Sequence, residues 1–382
     1  MSRAPFVRLA VLFVSLGAFL TAARADKPFR YDEGKFGKGQ LKYVNGIPVL
    51  VVEGTPEEIG TQVAQLTARP LPRLLNFTRQ FVKENGFELA WPVLLKMSKT
   101  MLPQFPPHDR QELEALAKCA KVSFDLALVG NVLPDLKKIG GCSTLIVEPA
   151  RSATGGPLFG RNLDYPTLGY LQKYTLVTVY KARGKHAFAS IGFPGLVGCI
   201  SGMNDAGLAL ATLEVYSSRE GSPFNLKGTP YLLGLRRILE ECTTVAQAEK
   251  LLRSMKRTTL NNLAICDRKE GAVFEITPNT MMVRRAVRGI CPCTNHFCTK
   301  KLTTGYRCRR LAILERTRQL RKVTVGDVAR KLDEVNLGDI TLQSMIFEPA
   351  ALKLHLAIGD CPTTKQPFKE VDLGPLLTRG RR

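Results

Sequence analysis

After residue 174 the chain alternates short apolar runs of strand character with pairs of amphipathic helical runs, and that alternation leaves few folds open to it. Strand-like runs occupy 174–181, 187–192, 196–203 and 208–215, punctuated by Pro194-Gly195 and by Asn204-Asp205-Ala206-Gly207. Helical runs over 230–242 and 245–255 follow, the second introduced by Thr244 with Gln247 in capping-box position. Strands return at 262–267, 272–277 and 281–286, helices at 309–320 and 325–335, and a last strand pair at 341–348 and 353–358. The strands are apolar on both faces, which predicts a sheet covered on each side. By itself this order predicts an α+β fold.

The first part of the chain reads differently. Residues 26–40 are polar and glycine-rich without periodicity and predict an irregular arm, whereas 49–53 is a compact apolar strand. Thr55-Pro56-Glu57-Glu58 starts a helix, because Thr55 can cap it, Pro56 suits its first position and Glu58 completes a capping box. Apolar residues at helical spacing continue through Ile59, Val63, Leu66, Leu74, Leu75 and Phe81, then across 89–101. Beyond a break at 103–108, Leu113, Leu116, Ala117 and Ala120 mark another helix, and 123–133 a further one capped by Ser123. Residues 26–141 thus form a mostly helical preface to Cys142.

Between the two parts lies Gly140-Gly141-Cys142-Ser143-Thr144, then a polar turn at 151–157, then Gly160-Arg161-Asn162-Leu163-Asp164. Runs 145–148 and 158–160 predict a hairpin with Cys142 at its outer start. Its antiparallel return brings Arg161, Asn162 and Asp164 back beside the thiol. A free cysteine is mostly protonated at neutral pH and needs a cation or base to become a nucleophile. Arg161 can supply the charge, and Asp164 can orient an amine.

This order of residues resembles the N-terminal-nucleophile hydrolases of the penicillin acyltransferase, choloylglycine hydrolase and acid ceramidase group. There a cysteine opens a strand and a Gly-Arg-Asn-x-Asp run follows after a short hairpin. The resemblance implies a four-layer αββα sandwich, self-cleavage of the Gly141-Cys142 bond, and a heterodimer in which 26–141 stays packed as a small subunit on 142–382. It implies that the Cys142 thiol attacks the Gly141 carbonyl, with glycine easing a strained approach. The freed amine, with an intrinsic pKa of about 7.7 to 8.0, then acts as base for its own thiol. By the same resemblance Arg161 stabilises the thiolate, Asp164 holds the amine and Asn295 supplies an oxyanion donor. Arg307 matches the later active-site arginine, with Arg309 and Arg310 as alternatives. The Met203-Asn204-Asp205-Ala206-Gly207-Leu208 turn is similar to one in the bile-salt branch, but Glu214 stands where that branch has asparagine and is closer to the ceramidase branch. Asn204 is most simply a turn residue.

The implied activity is that of an exported amidohydrolase or acyltransferase acting on linear amide C–N bonds. It forms an acyl-thioester on Cys142 from a small-molecule amide or acyl substrate, with no cofactor and no metal. One alternative is a ceramidase-like or bile-salt-hydrolase-like lipid amidase, to which a basic surface adds peripheral contact with an anionic membrane. Another is an inactive scaffold binding polyanions.

Composition bears on compartment and partners. Arg3 and Arg8 precede an apolar run at 9–20, and Ala23-Arg24-Ala25 fits a small-x-small cleavage site, so 1–25 reads as a signal peptide and predicts a secreted or periplasmic protein. The formal charge of +22 draws the chain to anionic surfaces, and basic residues are densest over 300–322. Without aromatic interleaving or a nucleic-acid motif, that stretch reads as a solvated helix face and predicts no nucleic-acid partner. The ten cysteines are irregularly spaced, and Cys199 and Cys266 lie in strand-like runs as buried thiols. Cys291, Cys293, His296 and Cys298 form a local cluster without the paired spacing of structural zinc sites, so disulfides or free thiols are expected there before a metal.

Overall fold

The computed structural model describes residues 29–378, and the signal peptide expected over 1–25 lies outside the described residues. In chain order, strands β1 (Gly34–Phe36), β2 (Gly39–Val44) and β3 (Ile47–Gly54) lead into helices α1 (Pro56–Leu66), α2 (Leu71–Leu75), α3 (Phe77–Glu84), α4 (Trp91–Met101), α5 (Pro107–Cys119) and α6 (Phe124–Leu136). Strands β4 (Gly141–Val147), β5 (Leu158–Asp164), β6 (Leu176–Ala182), β7 (Phe188–Gly192), β8 (Ser201–Asn204) and β9 (Ala209–Glu214) follow, then helices α7 (Tyr231–Glu241) and α8 (Val245–Ser254). The remainder is β10 (Asn261–Cys266), β11 (Gly271–Ile276), β12 (Met281–Arg285), β13 (Ile290–Cys293), α9 (Arg309–Glu315), α10 (Val325–Glu334), β14 (Thr341–Glu348), β15 (Lys353–Ala357), β16 (Lys369–Asp372) and α11 (Gly374–Leu377).

The strands form a ten-stranded sheet in the order β1-β2-β3-β6-β7-β8-β9-β10-β11-β12 and a six-stranded sheet in the order β13-β4-β5-β14-β15-β16. Between the sheets, Ile146, Phe159 and Leu163 of the smaller one meet Val177, Ala189, Ala211 and Ala264 of the larger. The outer face of the large sheet packs Leu50, Phe188, Leu210 and Phe274 on Ile59, Leu116, Leu128 and Leu235 of its helices. The outer face of the small sheet sets Leu145, Leu158 and Ile346 against Leu314, Val328 and Leu332. Three apolar layers thus separate four layers of structure, the αββα sandwich.

Period-two alternation within β5 shows why the sheet can be buried twice. Leu158 joins the helix-side core while Phe159 and Leu163 join the core between the sheets. Gly160 is where α10 comes closest, since a Cβ there would lie 2.5 Å from Val328 Cγ1, and Asn162 Nδ2 donates to the Leu332 carbonyl at 2.7 Å.

Several elements differ from the sequence reading. Residues 26–40 are not an irregular arm throughout: β1 and the start of β2 lie there, at the sheet edge, and β3 runs parallel to β6. All three residues of β1 are exposed, so no hydrophobic alternation marks it. At α1 the capping box forms as expected, Glu58 N–H donating to Thr55 Oγ1 at 3.3 Å and Thr55 N–H to Glu58 Oε2 at 2.7 Å. Ser123 precedes α6 without a side-chain cap bond, and the Gln247 side chain accepts from Thr243 N–H rather than from Thr244.

The segment ahead of Cys142 is bound into the whole. It supplies three strands of the large sheet, and Arg236 of α7 reaches back to α5, pairing with Glu112 at 2.7 Å and Asp109 at 3.3 Å while holding Glu240 at 2.8 Å, all buried.

Candidate active site

Strand register places the cysteine. Gly141 pairs with Asp164, Cys142 with Leu163, Ser143 with Asn162 and Thr144 with Arg161. Opposed residues of an antiparallel pair point the same way, so Cys142 and Arg161 are diagonal neighbours on the face between the sheets. Along the other edge of β4, Cys293 pairs with Thr144. Two residues further, Asn295 comes level with Cys142, and its Oδ1 accepts the Cys142 N–H at 2.7 Å. Arg310, in the first turn of α9, donates to the Cys142 carbonyl at 2.8 Å and to Asn295 Oδ1 at 2.9 Å, and lies 3.6 Å from Asp164 Oδ2.

The segment before Cys142 hangs from the large sheet. Glu214 Oε2 accepts the N–H groups of Ile139 and Gly140 at 2.7 and 2.8 Å, and the Tyr216 hydroxyl donates to the Gly140 carbonyl at 2.6 Å. A Cβ on Gly140 would lie 2.6 Å from the Asp164 carbonyl oxygen, and one on Gly141 would lie 2.4 Å from Leu337 Cδ1. Gly141 is a regular residue of β4, so close approach rather than backbone strain accounts for glycine there.

The charges are buried and incompletely paired. Arg161 is fully buried, and none of its three guanidinium nitrogens has a hydrogen-bond partner. Burying a cation whose N–H groups make no hydrogen bond is costly. Asp164 Oδ1 accepts from Thr341 Oγ1 at 2.5 Å, and its Oδ2 has no hydrogen bond. Burial pushes the Asp164 carboxyl up to about 6, against the Thr341 bond and the Arg310 and Arg161 cations. Burial likewise raises the Cys142 thiol, with Arg161 opposing, and raises Glu214, with Lys138 opposing.

Cys142, Arg161, Asp164, Glu214 and Tyr231 line a cavity of about 40 Å³. It abuts an apolar cavity of about 120 Å³ among Leu74, Phe77, Leu133, Leu171 and Phe193, and Pro134, Leu163, Tyr165 and Ile200 line both.

Of the residues singled out from sequence, Gly141, Cys142, Arg161, Asp164, Glu214 and Asn295 come together. Arg307 does not: it is exposed in the loop ahead of α9, and of the three arginines considered it is Arg310, one residue inside that helix, that reaches the Cys142 carbonyl. Asn295 also differs from the oxyanion donor expected. Its Oδ1 faces two donors, and its Nδ2 is spent on the Glu214 backbone carbonyl at 2.8 Å, so in the uncut chain it anchors the Cys142 nitrogen. Asn204 is the turn residue expected, its Oδ1 accepting from Ala206 and Leu208 N–H. Tyr216 and Thr341 were not singled out from sequence. Tyr216 lies two residues beyond Glu214, just past the end of β9, a spacing that is a readable signal, whereas Thr341 reaches Asp164 across 177 residues without one.

All ten cysteines are free thiols. Cys291 and Cys293 direct their sulfurs to the Arg284 and Thr294 carbonyls, and His296 Nδ1 is engaged with Thr294 Oγ1 at 2.9 Å. Among the described residues the group with converging ligand atoms is instead His108, Asp109 and Glu240, where the Arg236 guanidinium already stands.

Burial of Asp164 and Asp135 gives the uncut chain a distinct pH response. Both carboxyls sit at about 6 in the fold, above their ordinary 3.8, so their contribution is fully present below about 3.8 and is lost as pH rises through about 6. Thermal unfolding of a Cys142→Ala chain should therefore show higher stability at pH 5 than at pH 7.5, by about 1 kcal/mol per carboxyl. Equal or lower stability at pH 5 would contradict the burial assigned to these groups.

Residues 151–324 match the family model described as acyl-coenzyme A:6-aminopenicillanic acid acyl-transferase. The match covers just under half of the chain. The matched segment contains Arg161, Asp164, Glu214, Asn295 and Arg310, while Cys142 precedes it. An uncharacterized protein of Archaeoglobus fulgidus is 25% identical over 275 residues, covering 63% of this chain and 45% of that protein, so the chain spans less than half the length of that relative. Among solved structures, the Caenorhabditis elegans ortholog of N-acylethanolamine-hydrolyzing acid amidase is 17% identical with a TM-score of 0.44, covering 55% of this chain and 93% of that one. A conjugated bile acid hydrolase variant from Clostridium perfringens is 16% identical with a TM-score of 0.43, covering 61% and 93%.

Proposed function

We propose that the protein is an exported, self-cleaving cysteine N-terminal-nucleophile enzyme that hydrolyses amides or transfers their acyl groups. The observation that carries this reading is that Cys142 shares a buried cavity with the unpartnered Arg161 and with Asp164, while its own nitrogen rests on Asn295. In maturation the Cys142 sulfur bonds to the Gly141 carbonyl carbon, the Gly141-Cys142 C–N bond breaks, and the nitrogen takes up the thiol proton as it becomes an amine. Water then hydrolyses the resulting thioester, leaving a carboxylate on Gly141 and a thiol on Cys142. Glu214 and Tyr216 hold residues 139 and 140 still during this exchange. The products are chains 26–141 and 142–382, which the shared sheet and the Arg236 pairs keep together.

In turnover the new amine takes the thiol proton, and the thiolate attacks the substrate carbonyl. Asn295 Oδ1 and the Asp164 carboxylate hold the amine. The free N–H groups of Arg161 stabilise the thiolate and meet the charge developing on the carbonyl oxygen. The leaving amine receives the proton from the Cys142 ammonium, and water or another amine then takes the acyl group. The neighbouring 120 Å³ cavity suits an apolar acyl group about the size of a ring or a short chain.

Mixing the enzyme with a chromogenic amide or ester of a short apolar acid should add the mass of one acyl group to the chain carrying Cys142. Proteolytic mapping should place it on that sulfur. An adduct on another residue, or turnover with Cys142 never acylated, would contradict the reading.

A further inference from the structure

Helix α4 and the turn before it carry an exposed apolar patch. In the helix Ser98 and Met101 are buried, Trp91, Leu94, Leu95 and Met97 are half-covered, and Val93 points to solvent at the end of a stripe that a surface helix ordinarily hides. The turn before it adds to the patch: Phe87 is 52% exposed, Leu89 95% and Val93 58%. Trp91, the single tryptophan of the chain, lies between them.

Cations border this patch. Arg79 stands 5.7 Å from the Trp91 ring and Lys137 Nζ stands 5.0 Å from the Phe87 ring, with exposed Lys83 and Lys96 nearby. Of the acidic groups close by, Asp125 is paired with Lys99, which leaves Glu84, bonded only to the neutral Gln80 amide, and Glu88 as counterweights to these four cations. Aromatic and aliphatic tips beside ammonium and guanidinium groups match the boundary between acyl chains and phosphates in an anionic bilayer. A second copy of the chain fits less well, because a two-fold contact would set this cationic rim against itself.

We propose that the turn at Phe87 and Leu89, together with the first turns of α4, is a docking surface for an anionic lipid bilayer. Two helices that border the patch line the apolar cavity beside Cys142: α3 begins with Phe77 and Thr78 in that cavity and ends next to the patch, and α6 lines it with Leu133 and Pro134 just before Lys137. Docking does not depend on the chemistry of Cys142. Use of the cavity for acyl groups drawn from lipid does rest on the function proposed above.

The test uses the full mature protein with vesicles of phosphatidylglycerol and phosphatidylcholine, or of phosphatidylcholine alone. With the anionic vesicles the protein should co-sediment, and Trp91 emission should rise and shift to the blue. A Leu89→Glu, Val93→Glu chain should bind at least tenfold more weakly while still turning over a short water-soluble amide at the unaltered rate. Both positions are more than half exposed, so the fold tolerates the changes. Three results would overturn the proposal. One is no sedimentation with anionic vesicles. Another is sedimentation abolished by salt with Trp91 emission unchanged, which would assign binding to the basic 300–322 stretch. The third is a dimer in solution that Leu89→Glu dissociates, which would assign the patch to a second copy.

Discussion

Replacing Cys142 with alanine is expected to leave a single uncut chain and to lower amide turnover by at least about a thousandfold. The size follows from the absence of a second thiol in the cavity: besides Cys142, its polar lining is Arg161, Asp164, Thr212, Glu214, Tyr165 and Tyr231, and none of its hydroxyls is as readily deprotonated as a thiol. Neither carboxyl is placed to take over. Asp164 Oδ1 is committed to Thr341, and Glu214 Oε2 to the amides of Ile139 and Gly140. Cys142→Ser should fall between the two, because a hydroxyl attacks the same carbonyl from the same position but gives up its proton far less readily. Gel analysis for cleavage and a rate assay on one amide separate the outcomes. Full turnover by the alanine chain would remove Cys142 from the mechanism.

Arg161→Met is expected to move stability and activity in opposite directions. The guanidinium is fully buried with no hydrogen-bond partner for any of its nitrogens, so an unbranched apolar side chain of similar length removes a buried cation that makes no hydrogen bond. We expect the variant to be as stable as the parent or more stable by about 1–4 kcal/mol. Its turnover should fall by about 10²–10³-fold, the usual loss when a preorganised donor to a developing oxyanion is removed. Thermal melts and rates on the same preparation decide this. A large loss of stability would mean that Arg161 is a structural ion-pair partner, and unchanged turnover would mean that it does not meet the reacting carbonyl.

The parts of this arrangement readable from the chain are those that strand register fixes. Cys142 and Arg161 lie on two runs joined by a short turn, so antiparallel pairing alone brings them together. Thr55 and Glu58 were equally legible, since a capping box is local in sequence. Arg310 was not separable from Arg307 and Arg309, because their distinction depends on where α9 starts, and a shift of one residue turns a side chain by about 100°. Strands β1 and β16 lie at sheet edges with mostly exposed or half-exposed residues and carry no alternation to read. β13 was hidden by its own composition, Ile290-Cys291-Pro292-Cys293, where cysteines and a proline suggest a cluster rather than a ladder. The anchoring of Gly140 by Tyr216 and of Asp164 by Thr341 depends on packing of separate strands, beyond any local pattern.

Processing and turnover both depend on whether Cys142 becomes a chain terminus. Intact mass with N-terminal sequencing of the purified mature protein measures this directly. Two associated chains are expected, the larger beginning Cys142-Ser143-Thr144. A single unbroken chain that nevertheless consumes amides would contradict that dependence.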